Sequence, residues 1–199
     1  MKRSVVAAGL AILLFMVPAL AQSPRDSSQC FADNGVSNEQ IIAGCTGMIQ
    51  TGGLNGPDLA AAYFSRGVAY NLKTQPDLAI KDFDQVLKLT PDDTAAMDQR
   101  GGAYFSKGDF DHALADFNQS IRLDPNDFNA YNNRGAIYYT QSEWAKAVAD
   151  FTTAIGLKPD VGLMYRSRAF ALEKLGQHDR AQADFAKAVR LDPSLQGRQ

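Results

Sequence analysis

A period of 34 residues constrains this sequence more than any other feature. Residues 94–127 match residues 60–93, 128–161 and 162–195 when shifted by one period, and no residue is inserted or lost at any joint. Repetition at this length is typical of arrays in which each unit buries the apolar face of its neighbour. The repeat therefore determines the fold class before any other segment is considered.

Within each unit, numbered from one to thirty-four, the same residue types recur. Position eight is small: Gly67, Gly101, Gly135 and Ala169. Position twenty is alanine (Ala79, Ala113, Ala147, Ala181), position twenty-four is phenylalanine (Phe83, Phe117, Phe151, Phe185), and position thirty-two is proline (Pro91, Pro125, Pro159, Pro193). Small residues let two helices approach closely, aromatic residues fill the space between helices, and proline ends a helix. The pattern predicts two packed helices per unit.

These positions resemble the tetratricopeptide repeat, a helix–turn–helix unit of the same length. Four units in register cover residues 60–195. The resemblance implies an all-α fold, a right-handed superhelical solenoid of four helix pairs. Apolar residues at helical spacing predict helices at about 58–73, 76–89, 94–107, 110–123, 128–141, 144–157, 162–175 and 178–191.

The first residues are typical of a secretory signal peptide. Lys2 and Arg3 precede an apolar run over 5–17, and Ala19-Leu20-Ala21 forms a small-residue cleavage site, so residues 1–21 are expected to be removed. A membrane anchor is the alternative, but the run is short for a bilayer. We therefore expect a periplasmic or secreted protein without stable membrane insertion after signal removal.

The charge of the chain gives no sign of nucleic-acid binding. The formal net charge is −2, and it becomes −4 once Lys2 and Arg3 leave with the signal. The sequence contains no run of basic residues, which nucleic-acid-binding domains usually carry.

Residues 22–59 are predicted to form a lead-in and an N-terminal capping helix at about 38–51. Ser37 is a plausible N-cap, and Cys45 falls where Phe83 lies in the second helix of the first repeat. An exported protein with two cysteines favours a Cys30–Cys45 disulfide, which would tie the lead-in to this helix. Two free thiols are the alternative.

Two charged positions also repeat with the unit. Position seven is Arg66, Arg100, Arg134 and Arg168, and position twenty-three is Asp82, Asp116, Asp150 and Asp184. Arginine at position seven departs from the family pattern, which is commonly apolar there. Both positions neighbour packing positions, so we predict structural ion pairs between each arginine and the aspartate of the same or the preceding unit. An anion-binding row of arginines is the alternative.

No set of residues indicates catalysis or a cofactor. The two histidines, His112 and His178, have no nucleophile or second histidine at a useful spacing, and the sequence lacks zinc-binding and phosphate-binding motifs. The sequence predicts a non-enzymatic protein without a cofactor.

The resemblance implies that the first helices of the repeats line a concave groove. Its outward positions give the candidate partner-binding residues Phe64, Asn71, Asp98, Phe105, Asn129, Asn132, Tyr139, Arg166 and Phe170. Solvent-facing aromatic rings and side-chain amides suit an extended peptide. The alternative is that the rings pack within the array.

The sequence therefore predicts a scaffold that binds a peptide or protein segment in this groove, outside the cytoplasm. The alternative is a structural subunit that self-associates through the C-terminal end, where only the tail 196–199 follows the last repeat and no extra helix covers it.

Overall fold

The computed structural model describes residues 29–31 and 35–196, so the predicted signal peptide and the final three residues lie outside the described part. Within that part the chain is helical and has no strand. The helices are α1 (Asn38–Thr51), α2 (Gly56–Leu72), α3 (Pro76–Leu89), α4 (Thr94–Ser106), α5 (Phe110–Leu123), α6 (Phe128–Thr140), α7 (Trp144–Leu157), α8 (Gly162–Lys174) and α9 (His178–Leu191), followed by a 3-10 turn at Pro193–Leu195. Each helix packs against the next in sequence. The all-α repeat fold is confirmed, whereas the right-handed superhelix and the capping role of α1 stay predictions.

The turn inside each repeat uses a left-handed backbone at position fifteen. Gly108 has φ 77° and Gly176 has φ 70°, a conformation that glycine adopts without steric cost. The same place is occupied by Thr74 (φ 56°) and Ser142 (φ 61°) in the other two repeats. A side chain in this region costs roughly 1–2 kcal/mol. The turn geometry is therefore kept even where glycine is absent.

The glycine at position eight lies under the phenylalanine at position twenty-four. A Cβ atom built on Gly101 would stand 2.9 Å from Cζ of Phe117, and one on Gly135 would stand 2.9 Å from Cε1 of Phe151. Both rings are almost completely buried. The phenylalanine ring of the second helix therefore occupies the space that a side chain at position eight of the first helix would need.

The position-seven arginines connect three helices. Each arginine donates through Nε and Nη2 to both carboxylate oxygens of the aspartate in its own repeat, at 2.7–2.9 Å. The third nitrogen, Nη1, donates across the repeat boundary to a side-chain oxygen at position twenty-five of the preceding helix, at 2.6–3.2 Å. These acceptors are Thr46, Asp84, Asn118 and Thr152.

This row of arginine contacts, from Arg66 to Arg168, is here called the ladder. The hydrogen bond to Asp116 raises the pKa of Arg100, and the corresponding aspartates raise the pKa values of the other three arginines.

The N-terminal helix α1 takes part in the ladder through Thr46. This residue accepts from Arg66 as the position-twenty-five residues of α3, α5 and α7 accept from the other arginines. In α9 the equivalent residue is Ala186, which has no side-chain oxygen to offer.

The N-terminal helix is held by a disulfide. Cys30 and Cys45 are bonded, and both are buried in a small cluster with Ala62 of α2. Ser37 caps the helix through a capping box with Gln40. Cys45 lies at the position that phenylalanine occupies in the four repeats. The same residue therefore packs in an apolar cluster and forms the covalent bond to Cys30.

Candidate functional site

The first helices of neighbouring repeats contact one another along the array, α2 with α4, α4 with α6 and α6 with α8. Their outward residues form one surface, here called the A-helix face, which contains the nine residues named as binding candidates from the sequence. The structure places these residues in different environments, and only some of them are available to a partner.

Three of the four aromatic candidates are half-buried and pack within the array, which is the alternative that the sequence left open. Phe64 packs edge-on against Phe83 at 5.8 Å between ring centroids, and Tyr139 packs against the cluster of Ala147 and Phe151. Phe170 packs edge-on against Phe185 at 5.2 Å. These rings are half-buried because positions five, nine and twelve reach the second helix of the same repeat or the next first helix.

Phe105 is the ring of the four that stays exposed. It is 36% accessible and touches Phe110 at 5.7 Å between centroids. It lies on α4, near the middle of the array. An exposed phenylalanine on a supported helix is the kind of anchor that protein partners use.

The polar candidates also divide into two groups. The amide of Asn71 donates to the backbone oxygen of Gln99 at 3.1 Å, so it ties the first two repeats together. Asn129 is exposed at the start of α6, and Asn132 is half-buried beside Asn133. Arg166 is half-buried on α8. Asn129 is therefore the polar candidate most open to a partner.

Asp98 lies in a polar cavity at the boundary of the second and third repeats. The cavity has a volume of about 360 Å³, and it is lined by Thr94, Ala95, Asp98, Gln99, Asp127, Asn129 and Asn133. The carboxyl group of Asp98 is within hydrogen-bond range of the carboxyl of Asp127, which begins α6 as its N-cap. The pKa of Asp98 is raised to about 8 by burial first, and then by the hydrogen bond and the charge of Asp127.

Sequence reasoning missed Asp127 and Ser120 as parts of this site. Asp127 is position thirty-four and was treated as a unit boundary, whereas it faces position five of its own repeat across the helix pair. Ser120 is fully buried beside Asp98, and its counterparts in the other repeats are Val86, Ala154 and Ala188. A hydroxyl where three repeats have an aliphatic side chain was the signal that pointed here.

A second hollow lies between α8 and α9. It has a volume of about 850 Å³ and is lined by Phe170, Phe185, Val189 and four other residues. Phe170 therefore belongs to this hollow as well as to the A-helix face. This is the surface that a further repeat would cover.

The histidines do not form a reactive group. His112 stacks on Tyr104 at 4.9 Å and contacts Asp109 at 2.8 Å, and His178 contacts Glu173 at 2.7 Å. Across residues 29–31 and 35–196, no group of three or more His, Cys, Asp or Glu side chains is placed to hold a metal ion. In the same residues no helix has the length and apolar character needed to cross a membrane.

Family models described as tetratricopeptide repeat or TPR repeat match residues 60–93, 101–142, 128–161 and 165–195. Among solved structures, the chain is similar to MamA 41-end from Desulfovibrio magneticus RS-1, with 20% identity, a TM-score of 0.71, and coverage of 89% of this chain and 100% of that one. A crystal structure of MamA is 22% identical with a TM-score of 0.68, covering 79% of this chain and 90% of that one. The search of curated proteins gave no match. At these identities the structural likeness concerns the fold.

Proposed function

We propose that this chain, which belongs to the tetratricopeptide repeat family, is a non-enzymatic scaffold that binds a peptide or protein segment along its A-helix face. The family builds protein-interaction scaffolds and is typically non-enzymatic. The observation that carries the proposal is the pairing on α4 of an exposed ring, Phe105, with the polar cavity at Asp98.

These two features can be reached by one bound segment. Asp98 and Phe105 are seven residues apart on one helix, so they lie on the same face about 10 Å apart. Gly102 lies between them, and a Cβ atom built on it would meet nothing within 4 Å. This open strip lets a backbone approach α4 closely, and a stretch of about three extended residues spans the distance.

We place this scaffold outside the cytoplasm, in the periplasm or secreted. The Cys30–Cys45 disulfide supports an oxidising compartment. The apolar run over 5–17 supports export, although it lies outside the described residues.

A random dodecapeptide library selected against the purified chain tests the binding function. Selected peptides are expected to bind in fluorescence anisotropy, and Phe105→Ser should weaken binding about tenfold or more, as loss of an anchor side chain does. The matched control is Leu78→Ser, because Leu78 is 40% exposed and lies on the second helix of a repeat. Equal binding by both variants would place the peptide elsewhere and refute the A-helix face.

Self-association through the C-terminal end is the second candidate, and the hollow beside α9 supports it. The ladder restricts how this would occur. Ala186 offers no acceptor for an arginine, so another repeat of the same design would leave one guanidinium nitrogen without its cross-boundary partner. Light scattering of the wild type and of Val189→Glu over a range of protein concentrations tests this candidate. A molecular mass that rises to that of a dimer with concentration in the wild type, and stays that of a monomer in Val189→Glu, would establish it.

A further inference from the structure

We propose that the cavity at Asp98 and Asp127 is a subsite for a cationic side chain, so that the A-helix face selects partner segments carrying lysine or arginine. This inference rests on the proposed function and names the chemistry of its partner. It concerns a single place in the array, the boundary between the second and third repeats.

The size and lining of the cavity fit one polar side chain. A volume of about 360 Å³ is at the small end of ligand pockets. Its polar lining consists of hydroxyl, amide and carboxyl groups, and no lysine, arginine or histidine is among the lining residues. Such a cavity repels anions, and an apolar group placed there would leave the carboxyl oxygens without partners.

Two buried oxygen atoms stand behind the wall of the cavity. Oδ1 of Asp98 and Oγ of Ser120 are both buried, and neither has a hydrogen-bond partner of good geometry in the described residues. Ser120 is 0% exposed, and its hydroxyl is within reach of the Asp98 carboxyl. A hydroxyl can donate one hydrogen bond, whereas an ionised carboxylate accepts several, so the Asp98 carboxyl keeps capacity for a further donor from the cavity.

The hydroxyl of Ser120 departs from the repeat, because position twenty-seven is aliphatic in the other three units. Position five holds a different residue in every unit: Phe64, Asp98, Asn132 and Arg166. The stacking of the array therefore requires neither the hydroxyl nor the carboxyl. The polar residue at position twenty-seven and the carboxyl at position five lie side by side in the second repeat.

The charge of the cavity is suited to a cation. The Asp127 carboxylate is fixed by the backbone N–H groups of Asn129 and Ala130, at 2.8 and 3.4 Å. Asp98 faces it, and the other charged group acting on Asp98 is Asp116 of α5, which is itself paired with Arg100. Because the pKa of Asp98 is raised to about 8, its carboxyl carries a proton near neutral pH, and a bound ammonium or guanidinium group would replace that proton.

The test uses side-chain analogues, so it does not depend on finding a peptide. The probes are n-butylammonium and ethylguanidinium chloride, with n-butanol and sodium chloride as controls, and the readout is the carbon-13 carboxyl signals of Asp98 and Asp127. We expect saturable shifts with the two cations only. Affinity should rise about tenfold between pH 7 and pH 9, because a site with a pKa of about 8 is deprotonated about ten times more often at the higher pH.

Two variants make the result specific. Asp98→Asn, which copies Asn132 of the next repeat, should reduce probe affinity at least fivefold and remove the pH dependence. Asp93→Asn is the matched control, because Asp93 is the equivalent N-cap one repeat earlier, where position five is Phe64 and carries no carboxyl. Carboxyl shifts that are absent, or unchanged in Asp98→Asn, would overturn the inference.

Calcium chloride at equal ionic strength is a further arm, and a response to calcium without one to the organic cations would also overturn it. The peptide selection remains a separate test: failure to bind any peptide contradicts the scaffold, whereas peptides that bind without enrichment of lysine or arginine contradict only this subsite.

Discussion

Neighbouring glycines on α4 give a sharp test of how the repeats pack. Gly101 and Gly102 are both inside the helix, so alanine at either position gains about 0.5–1 kcal/mol of helix propensity. They differ in the space around a new Cβ atom. At Gly101 it would lie 2.9, 3.0 and 3.3 Å from three ring atoms of Phe117, whereas at Gly102 nothing lies within 4 Å.

The two substitutions should therefore change stability in opposite directions. Phe117 is 1% exposed, so moving its ring would disturb packed neighbours, and Gly101→Ala carries an overpacking cost of about 3 kcal/mol. The net result is a loss of about 2 kcal/mol for Gly101→Ala and a gain of about 0.5–1 kcal/mol for Gly102→Ala. Urea unfolding followed by circular dichroism at 222 nm measures both.

A double variant separates steric conflict from other causes. In Gly101→Ala/Phe117→Leu the new methyl group replaces part of the ring, so the combined loss should be smaller than the sum of the two single losses. The fourth repeat has Ala169 at this position, with Phe185 only half-buried at the end of the array. Equal stabilisation by the two alanines would refute the argument that the ring on the glycine sets the helix spacing.

Three further predictions follow from the ladder, the disulfide and the acidic cavity. Asp150→Asn should destabilise the protein by about 2–3 kcal/mol in urea unfolding, since it leaves the half-buried Arg134 without its bidentate partner; Asp160→Asn, an exposed residue, is the control. The oxidised chain should be two daltons lighter than the reduced chain, and reduction of Cys30–Cys45 should lower stability by about 3 kcal/mol; unchanged stability on reduction would contradict the structural role of the bond. The pKa of Asp98 is raised to about 8, so the folded state binds the Asp98 proton more tightly than the unfolded chain does. The free energy of unfolding should therefore fall as the pH rises from 5 to 9, by about 2 kcal/mol after discounting for solvent screening. In Asp98→Asn this part of the pH dependence should vanish.

The helices were predictable because each helix assignment can be compared across four repeats in register. The start and end of α3, α5, α7 and α9 coincide with the helices expected at 76–89, 110–123, 144–157 and 178–191. Each contains the invariant alanine and phenylalanine and ends near the proline. The left-handed turns at Thr74 and Ser142 were not predictable, since neither residue signals positive φ and only alignment with Gly108 and Gly176 places them there.

The candidate site was harder to predict for a related reason. Averaging over repeats identifies the residues that build the array, and it hides interactions that cross a unit in one place only. The A-helix face was located from the family resemblance, but its rings were expected in solvent, and the buried contacts of Phe64 and Tyr139 depend on helix spacing that the sequence does not specify. Likewise the arginines were expected to pair once, whereas the third contact at position twenty-five involves four acceptors of three residue types.

We propose that specificity resides in residues that do not repeat. Residues that repeat, such as the arginine and aspartate of the ladder, are already engaged with each other and have little capacity left for a ligand. Asp98, Gly102, Phe105 and Ser120 each differ from their counterparts in the other repeats, and all four belong to the second repeat. Three of them follow one face of α4, and the fourth supports Asp98 from behind. Positions five, nine and twelve hold a different residue in every repeat, whereas position twenty-seven is polar in the second repeat and aliphatic in the other three. A buried hydroxyl behind a carboxyl and an exposed ring therefore occur together on the second repeat, and this combination is the reason why we propose α4 as the helix that selects the partner.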